Sequence, residues 1–340
     1  MSEMVLVTGA TGFVGGWCIA ALLERGYRVR TTVRSAAKEA AMRGILAPIV
    51  GPKGAALEFV VADLTRDAGW GEAVAGCDYV LHVASPLGAE MPKNPDDLIV
   101  PAREGTLRVL RAAVKAGVKR VVMTSSVAAS SPAQRSPDSA TDESFWTDPN
   151  EPGLTAYRLS KTLAERAAWD FMAKEGGRTE LVTVLPTAVL GPVMSAESLG
   201  SAQVVSRLMT GSMPGTPPLG FNVVDVRDVA DLHLRAMLAP EAAGQRFIAA
   251  SSYLSMADIA RILRARLGVK AAKVPTRAMP GFMLRLAALF DPALRAVTPG
   301  MGRRRIFLSD KARKELGWQP RTAEEAVVAC AESLIAAGAV

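Results

Sequence analysis

The chain has 340 residues, of which 49% are hydrophobic and 21% charged, so it is neither a short peptide nor a disordered polymer. Its 40 lysines and arginines against 33 acidic residues give a formal net charge of +7. A basic excess can indicate nucleic-acid binding, but the cations are interspersed with acids everywhere except at Arg303–Arg305. We interpret this run as an exposed turn rather than a phosphate clamp, and we expect no nucleic-acid partner.

Cysteine and histidine are too sparse to predict a metal site or a disulfide framework. Cys18, Cys77, Cys330, His82 and His233 show neither CxxC nor HExxH spacing, and both histidines are expected to be structural. An odd cysteine count fits a reducing compartment, and the first residues lack the pattern of a secretory signal. No apolar run approaches the roughly 18 residues of a membrane span. We expect a cytoplasmic protein with no metal and no membrane partner.

Short β-branched runs alternate with helical patterns along the first half of the chain. The predicted strands are Met4–Thr8, Arg28–Val33, Leu57–Ala62, Tyr79–Val83, Arg120–Thr124 and Leu181–Leu185. The predicted helices are Phe13–Arg25, Ser35–Arg43, Leu98–Ala116 and Tyr157–Lys174. The runs MVLV, YVLHV and RVVM within these strands barely alternate between apolar and polar residues, which indicates a parallel sheet with helices on both faces. The pattern predicts an α/β, Rossmann-like, doubly wound dinucleotide-binding domain over residues 1–186.

Residues 187–340 are predicted to form a smaller, mostly helical substrate-binding lobe. Strands near 221–226 and 246–250 are expected to return to the main sheet, with a helix over Arg227–Ala239 between them. Helices are also predicted where a capping residue precedes an apolar pattern. The capping residues are Ser255, Ser309, with Gly317 closing its helix, and Thr322, which forms a capping box with Glu325.

The first strand leads into the turn Thr8–Gly15, which reads TGATGFVG and opens a helix. Glycines without Cβ atoms let a pyrophosphate approach the N-terminus of the helix. The turn therefore predicts a dinucleotide site, and the alternative is a tight turn that only packs the helix on the sheet.

The end of the second predicted strand indicates which cofactor is used. NAD-binding folds place an acid there for the ribose hydroxyl, but this chain has Arg34, with Lys38 one helical turn later. Two cations favour the 2′-phosphate of NADPH, unless Arg34 is merely exposed. Asp63, after the third strand, can accept a hydrogen bond from the adenine amino group or can cap a turn.

Tyr157 and Lys161 lie four residues apart at the start of a predicted helix and so share one face. An ammonium beside a phenol lowers the pKa of the phenol and favours proton transfer, although such a pair also occurs by chance on solvated faces. Ser125 and Ser126 end the fifth strand at the sheet edge that holds the glycine turn. A hydroxyl there can donate to a carbonyl oxygen while the tyrosine supplies the proton.

Several segments together resemble the extended short-chain dehydrogenases/reductases, specifically the dihydroflavonol-reductase-like or aldehyde-reductase-like branch of the NAD-dependent epimerase/dehydratase superfamily. They are TGATGFVG, VRTTVRS, ADLT, HVASP, TSSVAA, YRLSK followed by TLAE, LPTAVLGP and NVVDVRDVADLH. The resemblance implies that Ser126, Tyr157 and Lys161 are catalytic. It implies cofactor contacts from Gly9, Thr11, Gly12, Phe13, Val14, Gly15, Arg34, Lys38, Asp63, Leu64, Ala84, Ser85, Tyr157, Lys161, Pro186 and Thr187. Relatives carry an asparagine before Gly105-Thr106 where this chain has Glu104, so a role for that asparagine is not transferred.

The substrate pocket is expected to involve Leu87–Pro92, the loops after Thr187 and the segment Met279–Phe290. Its expected lining is apolar and adaptable, and comprises Ser85, Pro86, Leu87, Val127, Met194, Met209, Met213 and Phe221. A hydrophobic or aryl carbonyl compound is therefore the expected substrate.

Taken together, these residues predict an NADPH-dependent reduction of an aldehyde or ketone to an alcohol by a monomer or homodimer. One alternative is a sugar-nucleotide epimerase or dehydratase on the same fold, which would retain NAD and is disfavoured by Arg34. The other is a non-catalytic NADP-binding redox sensor, which would have no need of Ser126, Tyr157 and Lys161.

Overall fold

The computed structural model describes residues 2–86, 94–134, 136–195, 199–289 and 298–340. The strands are β1 (Met4–Thr8), β2 (Arg28–Val33), β3 (Leu57–Val61), β4 (Tyr79–His82), β5 (Arg120–Thr124), β6 (Ser139–Thr141), β7 (Glu180–Pro186), β8 (Ala188–Leu190), β9 (Gly220–Asp225), β10 (Arg246–Ala249), β11 (Ser252–Ser255) and β12 (Arg305–Phe307).

The helices of the described residues cover both halves of the chain. They are α1 (Phe13–Glu24), α2 (Ala37–Val50), α3 (Trp70–Val74), α4 (Asp96–Lys115), α5 (Ala156–Glu175), α6 (Gln203–Met209), α7 (Val226–Leu238), α8 (Met256–Leu267), α9 (Gly281–Ala287), α10 (Asp310–Leu316) and α11 (Ala323–Ala336). Short 3-10 helices cover Gly51–Ala56, Val127–Ser130, Gly200–Ala202, Pro240–Ala242, Gly268–Ala271 and Thr298–Gly300.

Seven parallel strands form the main sheet in the order β10-β7-β5-β4-β1-β2-β3. On one side of β1 the chain adds β2 and then β3. On the other side it adds β4, β5, β7 and β10 in turn. The carboxyl ends of β1 and β4 therefore lie side by side at the point where the winding reverses, which is where ligands of such sheets bind. The predicted Rossmann-like, doubly wound fold is confirmed.

Helices cover both faces of the sheet because its strands are apolar on both sides. Val5 and Val7 of β1 belong to a cluster with α1, α2 and α7, whereas Met4 and Leu6 belong to a cluster with α3, α4 and α5. All four side chains are buried. Fully burying one aliphatic side chain stabilises the fold by about 1.5–3 kcal/mol, so this central strand anchors both layers.

The prediction that both later strands return to the main sheet is wrong for one of them. β10 pairs with β7, where Arg246 lies opposite Thr183. Because β10 occupies that edge, β9 pairs instead with β8 and β11 in a separate three-stranded sheet. This small sheet packs with α6, α8 and α11 around a second apolar core, and the C-terminal region is largely helical, as predicted. The domain boundary after residue 186 stays a prediction.

The C-terminal capping predictions have mixed outcomes. Thr322 and Glu325 form the predicted capping box, and Ser255 caps α8 together with Asp258. Ser309 precedes α10 but does not cap it with its side chain, because its hydroxyl donates to the carbonyl oxygen of Ala250. Gly317 ends α10 with a φ of 59°, as expected.

The arginine run at 303–305 is not simply an exposed turn. Arg303 and Arg305 are partly buried and donate to the carbonyl oxygens of Ser136 and Ala133, so that they join β12 to the segment before β6. Arg304 is exposed. Among the described helices, none combines the length and the apolar character that crossing a bilayer would require.

Candidate active site

The first turn of α5 and the end of β5 bring two of the predicted catalytic residues together. Thr155 caps α5 by accepting a hydrogen bond from the backbone of Arg158, so the helix begins just before Tyr157. Ser126 follows β5 in extended backbone. Tyr157 Oη donates to Ser126 Oγ at 3.3 Å, and Ser126 Oγ also accepts from the backbone N–H of Ala128 at 3.1 Å. Because both bonds are accepted, the Ser126 hydroxyl proton stays free to donate to a ligand.

Lys161 lies one helical turn beyond Tyr157 and is 7% exposed. Burial lowers the pKa of its ammonium to about 8, and the negative charge of Glu165 opposes this shift. The lysine is therefore mostly protonated at neutral pH. It loses its charge far more easily than an ordinary lysine does.

The pKa of Tyr157 runs against the sequence-based expectation. Burial raises the pKa of the phenol above its ordinary value, and the hydrogen bond with Ser126 opposes this rise. The expected lowering of this pKa is wrong for the protein on its own, because burial removes hydration that would stabilise the charged phenolate. The phenol therefore holds its proton at neutral pH, which is the form that a proton donor needs.

The glycine turn after β1 fits a bound pyrophosphate. Gly9 has a φ of 81°, and a Cβ on Gly15 would lie 2.3 Å from the carbonyl oxygen of Gly9. Gly12 precedes α1 without a side-chain cap, and the first turn of the helix contains no acid. The N-terminal N–H groups of the helix thus have no anion of their own helix beside them, which suits a phosphate site. Thr11 is exposed at this turn, and Phe13 and Val14 are partly buried.

Thr8 and His82 join the carboxyl ends of β1 and β4. Thr8 Oγ1 accepts from the backbone N–H of Ala84 at 3.0 Å and lies 3.0 Å from His82 Nδ1. Burial lowers the pKa of His82 to about 3, so its ring is neutral and Nδ1 can accept the Thr8 proton. Ala84 and the partly buried Ser85 and Pro86 follow directly, and Ala84 contacts Gly9.

His233 is also held by two contacts. Its Nδ1 lies 2.8 Å from the carbonyl oxygen of Val229, and its Nε2 lies 2.7 Å from Thr124 Oγ1. Burial lowers its pKa to about 4. Both histidines are therefore neutral and engaged within the protein.

The residues expected near the adenosine lie around the ends of β2 and β3. Arg34 and Lys38 are exposed, and Arg34 is close enough to lower the pKa of the Asp63 carboxyl. Asp63 Oδ1 accepts from the backbone and hydroxyl of Thr65, each at 2.8 Å, so that oxygen caps a turn. Leu64 packs tightly on α4, where a Cβ on Gly105 would lie 2.8 Å from its own Cβ. The adenine contact stays a prediction.

Glu104 of α4 forms an ion pair with the adjacent Arg103 at 2.9 Å, and its side chain is partly exposed. At the opposite edge, β7 ends at Pro186, and both the backbone N–H and the hydroxyl of Thr187 donate to the carbonyl oxygen of Ala249 at 3.1 Å.

The residues predicted to line the substrate pocket are spread over different parts of the structure. Met194 packs against α1, its Sδ 2.7 Å from where a Cβ on Gly16 would be. Met209 is buried in the core of the small sheet and its helices, and Met213 and Phe221 pack against that core. Val127 packs on a cluster at the end of β10. Leu87, with the rest of 87–92, and Phe290 lie outside the described residues. The pocket lining stays a prediction.

Sequence reasoning missed a buried network beneath the tyrosine–lysine pair. Glu165 has no exposed surface and accepts hydrogen bonds from Ser125, Thr183 and Arg246. The continuing four-residue spacing from Tyr157 through Lys161 was a signal that could have identified it. No three histidine, cysteine or acidic side chains of the described residues lie together as a metal would require.

A doubly wound sheet with this turn and this tyrosine–lysine helix is typical of the short-chain dehydrogenases/reductases. Comparisons with known proteins agree with that class.

The chain belongs to the NAD dependent epimerase/dehydratase family, whose sequence profile matches residues 5–250. It is 38% identical over 264 residues to cinnamoyl-CoA reductase 1 of Petunia hybrida, covering 77% of this chain and 76% of the relative. It is 36% identical over 272 residues to dihydroflavonol 4-reductase of Zea mays, covering 77% and 74%. The structure of yeast methylglyoxal/isovaleraldehyde reductase Gre2 complexed with NADPH matches with a TM-score of 0.81 and 26% identity, covering 99% of this chain and 100% of that one. The predicted resemblance to extended short-chain dehydrogenases/reductases is confirmed.

Proposed function

We propose that this protein reduces an aldehyde or ketone to an alcohol with NADPH. The observation that supports this most directly is the 3.3 Å hydrogen bond from Tyr157 to Ser126 at the edge of the sheet, with Lys161 on the same helix face. The relatives named above are reductases, and the yeast structure contains NADPH.

The side chains present account for the proton transfer. When bound, the cofactor supplies a hydride to the carbonyl carbon. Ser126 Oγ donates its free proton in a hydrogen bond to the carbonyl oxygen, and Tyr157 Oη transfers its own proton to that oxygen. The products would be an alcohol, the oxidised cofactor and a Tyr157 phenolate, and the Lys161 ammonium stabilises the phenolate. Lys161 is also proposed to donate to the ribose of the cofactor.

The charge near the end of β2 supports NADPH rather than NADH. Arg34 and Lys38 are both exposed there and can meet the additional phosphate. An epimerase that retains NAD would be better served by an acid at this position, so we favour the reductase.

We propose a hydrophobic or aryl carbonyl compound as the substrate, because the segments expected to form the pocket are apolar. The names of the relatives cover an acyl-CoA, a dihydroflavonol and small aldehydes, so the reducible group must be determined directly.

A steady-state assay tests the proposal. The loss of reduced-cofactor absorbance is followed with a panel of aliphatic and aryl aldehydes and ketones, with cinnamoyl-CoA and with a sugar nucleotide, using NADPH and NADH in parallel. We expect turnover of aryl carbonyl compounds that prefers NADPH and is lost in Tyr157→Phe. Turnover of the sugar nucleotide without net cofactor oxidation would replace the reductase with the epimerase.

A further inference from the structure

A fully buried carboxylate lies beneath the candidate active site. Glu165 follows Lys161 by one helical turn and Tyr157 by two, so the three side chains share one face of α5. Glu165 is 0% exposed. A buried carboxylate is stable only if hydrogen bonds and an opposite charge replace its hydration, so its partners are informative about its role.

Apart from Trp169 of α5, whose Nε1 donates to Oε1 at 3.4 Å, the hydrogen-bond partners of Glu165 in the described residues come from three neighbouring strands or their ends. Ser125, after β5, donates from Oγ to Oε2 at 2.6 Å, and Thr183 of β7 donates from Oγ1 to Oε1 at 2.7 Å. Arg246 of β10 donates from Nε to Oε1 at 2.9 Å and from Nη2 to Oε2 at 3.3 Å. Since β5, β7 and β10 are consecutive in the sheet, one carboxylate fixes α5 against three strands.

Arg246 is held in place by other contacts. Its Nη1 donates to the carbonyl oxygens of Glu143 at 2.5 Å and Phe145 at 3.0 Å. Its guanidinium carbon lies 3.6 Å from the centre of the Trp146 ring. The guanidinium therefore serves as a fixed counter-ion to Glu165.

The contact between Ser125 and Glu165 also orients the next residue. Ser126 is extended, with φ −165° and ψ 152°. Ser125 and Ser126 both contact side chains of α5, because Ser125 Oγ donates to Glu165 and Ser126 Oγ accepts from Tyr157 Oη at 3.3 Å. Since the two serines are adjacent in the chain, anchoring Ser125 to Glu165 also fixes the backbone that places the Ser126 hydroxyl beside Tyr157.

Glu165 is also the negative charge that acts on Lys161. Among the described residues, His82 on β4 lies close enough for the charge of Lys161 to lower its pKa, and Tyr157 lies one turn before Lys161 on α5; both are uncharged at neutral pH. On α4, which packs against α5, the charges of Arg103 and Arg108 pair with Glu104 and Asp67.

We infer that Glu165 is a positioning residue for the proposed reductase reaction, which orients Ser126 through Ser125 and stabilises the Lys161 ammonium across one helical turn. The inference rests on the proposed function for its catalytic consequence, and Glu165 itself touches neither substrate nor cofactor.

The electrostatic half of the inference is that Glu165 stabilises the Lys161 ammonium. It is tested with Glu165→Gln, which keeps the shape of the side chain and an acceptor oxygen but removes the charge. The pH at which Lys161 loses its proton is expected to fall by about one unit or more, since a buried neighbouring charge shifts a pKa by roughly 1–3 units. The alkaline limit of kcat/KM is expected to move to lower pH by the same amount. If the unpaired Arg246 prevents folding, the double variant Glu165→Gln/Arg246→Met removes both charges, and the same direction is expected.

The matched control is Asp228→Asn on α7, which removes another buried carboxylate, one that pairs with Arg321. It should leave the Lys161 midpoint unchanged. The midpoint is measured by competitive acylation of the Lys161 amine across pH with mass-spectrometric readout, so it requires no turnover. If the wild type had no reductase activity, the proposed function would be overturned. The measured midpoints would still show whether Glu165 stabilises the Lys161 ammonium.

The geometric half of the inference is that Glu165 orients Ser126 through Ser125. It is tested with Ser125→Ala and Thr183→Val, which each remove one hydroxyl that donates a hydrogen bond to Glu165. Of these two residues, Ser125 is the neighbour of Ser126 in the chain, whereas Thr183 lies on a different strand. Ser125→Ala is expected to lower kcat about tenfold or more with little change in the KM for NADPH, because small misplacements of reacting groups have large effects on rate. Thr183→Val is expected to change kcat less than about twofold at a similar loss of thermal stability.

Glu165→Asp separates the two halves, because it keeps the charge but shortens the side chain. It is expected to lower kcat as Ser125→Ala does and to leave the Lys161 midpoint near that of the wild type. Equal midpoints in wild type and Glu165→Gln, or equal losses of kcat in Ser125→Ala and Thr183→Val, would overturn the inference.

Discussion

Replacing Arg34 by alanine tests cofactor selection at a residue whose loss should leave the fold intact. Arg34 is exposed just after β2, and in the described part of the chain its guanidinium donates no hydrogen bond. Its charge does act on Asp63, whose pKa it lowers. Nothing in the described structure is left unpaired when the side chain is shortened, so the effect should be confined to ligand binding.

The size of the effect follows from the chemistry of a 2′-phosphate. A hydrogen bond to a charged group is worth about 1.5–3 kcal/mol, which corresponds to roughly 10- to 100-fold in an equilibrium constant. Arg34 is exposed and Lys38 remains beside it, so we expect the lower half of this range, about 10- to 30-fold, for the rise in the KM for NADPH. The KM for NADH should change less than about twofold, because NADH has only a hydroxyl there.

The assay compares kcat/KM for NADPH and NADH in wild type, Arg34→Ala and Arg66→Ala. Arg66 is the matched control, since it is exposed and also lowers the pKa of Asp63. Its replacement should leave the NADPH preference unchanged. A wild-type ratio at or below one, or a ratio that does not respond to Arg34→Ala, would refute the assignment of this cation to the phosphate.

Three further predictions concern the site itself. Tyr157→Phe should reduce kcat by about 100-fold or more and leave NADPH affinity within about twofold, and unchanged kcat would contradict the proton-donor role. Lys161 has a pKa of about 8 and must be charged for the reaction, so kcat/KM for NADPH should be level at lower pH and fall about tenfold per pH unit above pH 8. An unchanged kcat/KM at pH 10 would argue against a charged Lys161 in the reaction. Gly15→Ala places a methyl group 2.3 Å from a backbone oxygen and should abolish NADPH binding by fluorescence titration. Gly16→Ala, whose one close contact would be the flexible end of Met194, should weaken NADPH binding little, and equal affinities of the two variants would count against the glycine turn.

The main sheet could be predicted closely from the sequence because its strands are short runs rich in apolar and β-branched residues. Met4–Thr8, Arg28–Val33 and Arg120–Thr124 agree with the structure at both ends. The partner of β9 could not be predicted in this way. Its pairing depends on which sheet edge is still free, and β10, which follows it in the chain, takes that edge.

In the candidate site, too, features that depend on neighbouring residues could be predicted from the sequence, and contacts between residues far apart in the chain could not. The four-residue spacing of Tyr157 and Lys161 and the position of Ser126 at the end of a strand are local patterns. The pKa of Tyr157 was predicted in the wrong direction, because spacing along a helix does not report burial. The role of Glu165 depends on Thr183 and Arg246, which are distant in the chain and meet only in the folded sheet.

Because β10 completes the main sheet, residues 1–186 alone would be an incomplete folding unit. A fragment that ends at residue 186 contains every predicted catalytic residue, but it lacks Arg246 and leaves the edge of β7 without its partner. Glu165 would then be a buried carboxylate without its counter-ion, a loss that typically destabilises a protein by about 3–5 kcal/mol. The exposed edge would also be open to pairing with other chains. The main sheet therefore depends on a strand that follows β8, β9 and the small sheet's first helices in the chain, and we expect residues 1–186 and the rest of the chain to unfold as one cooperative unit.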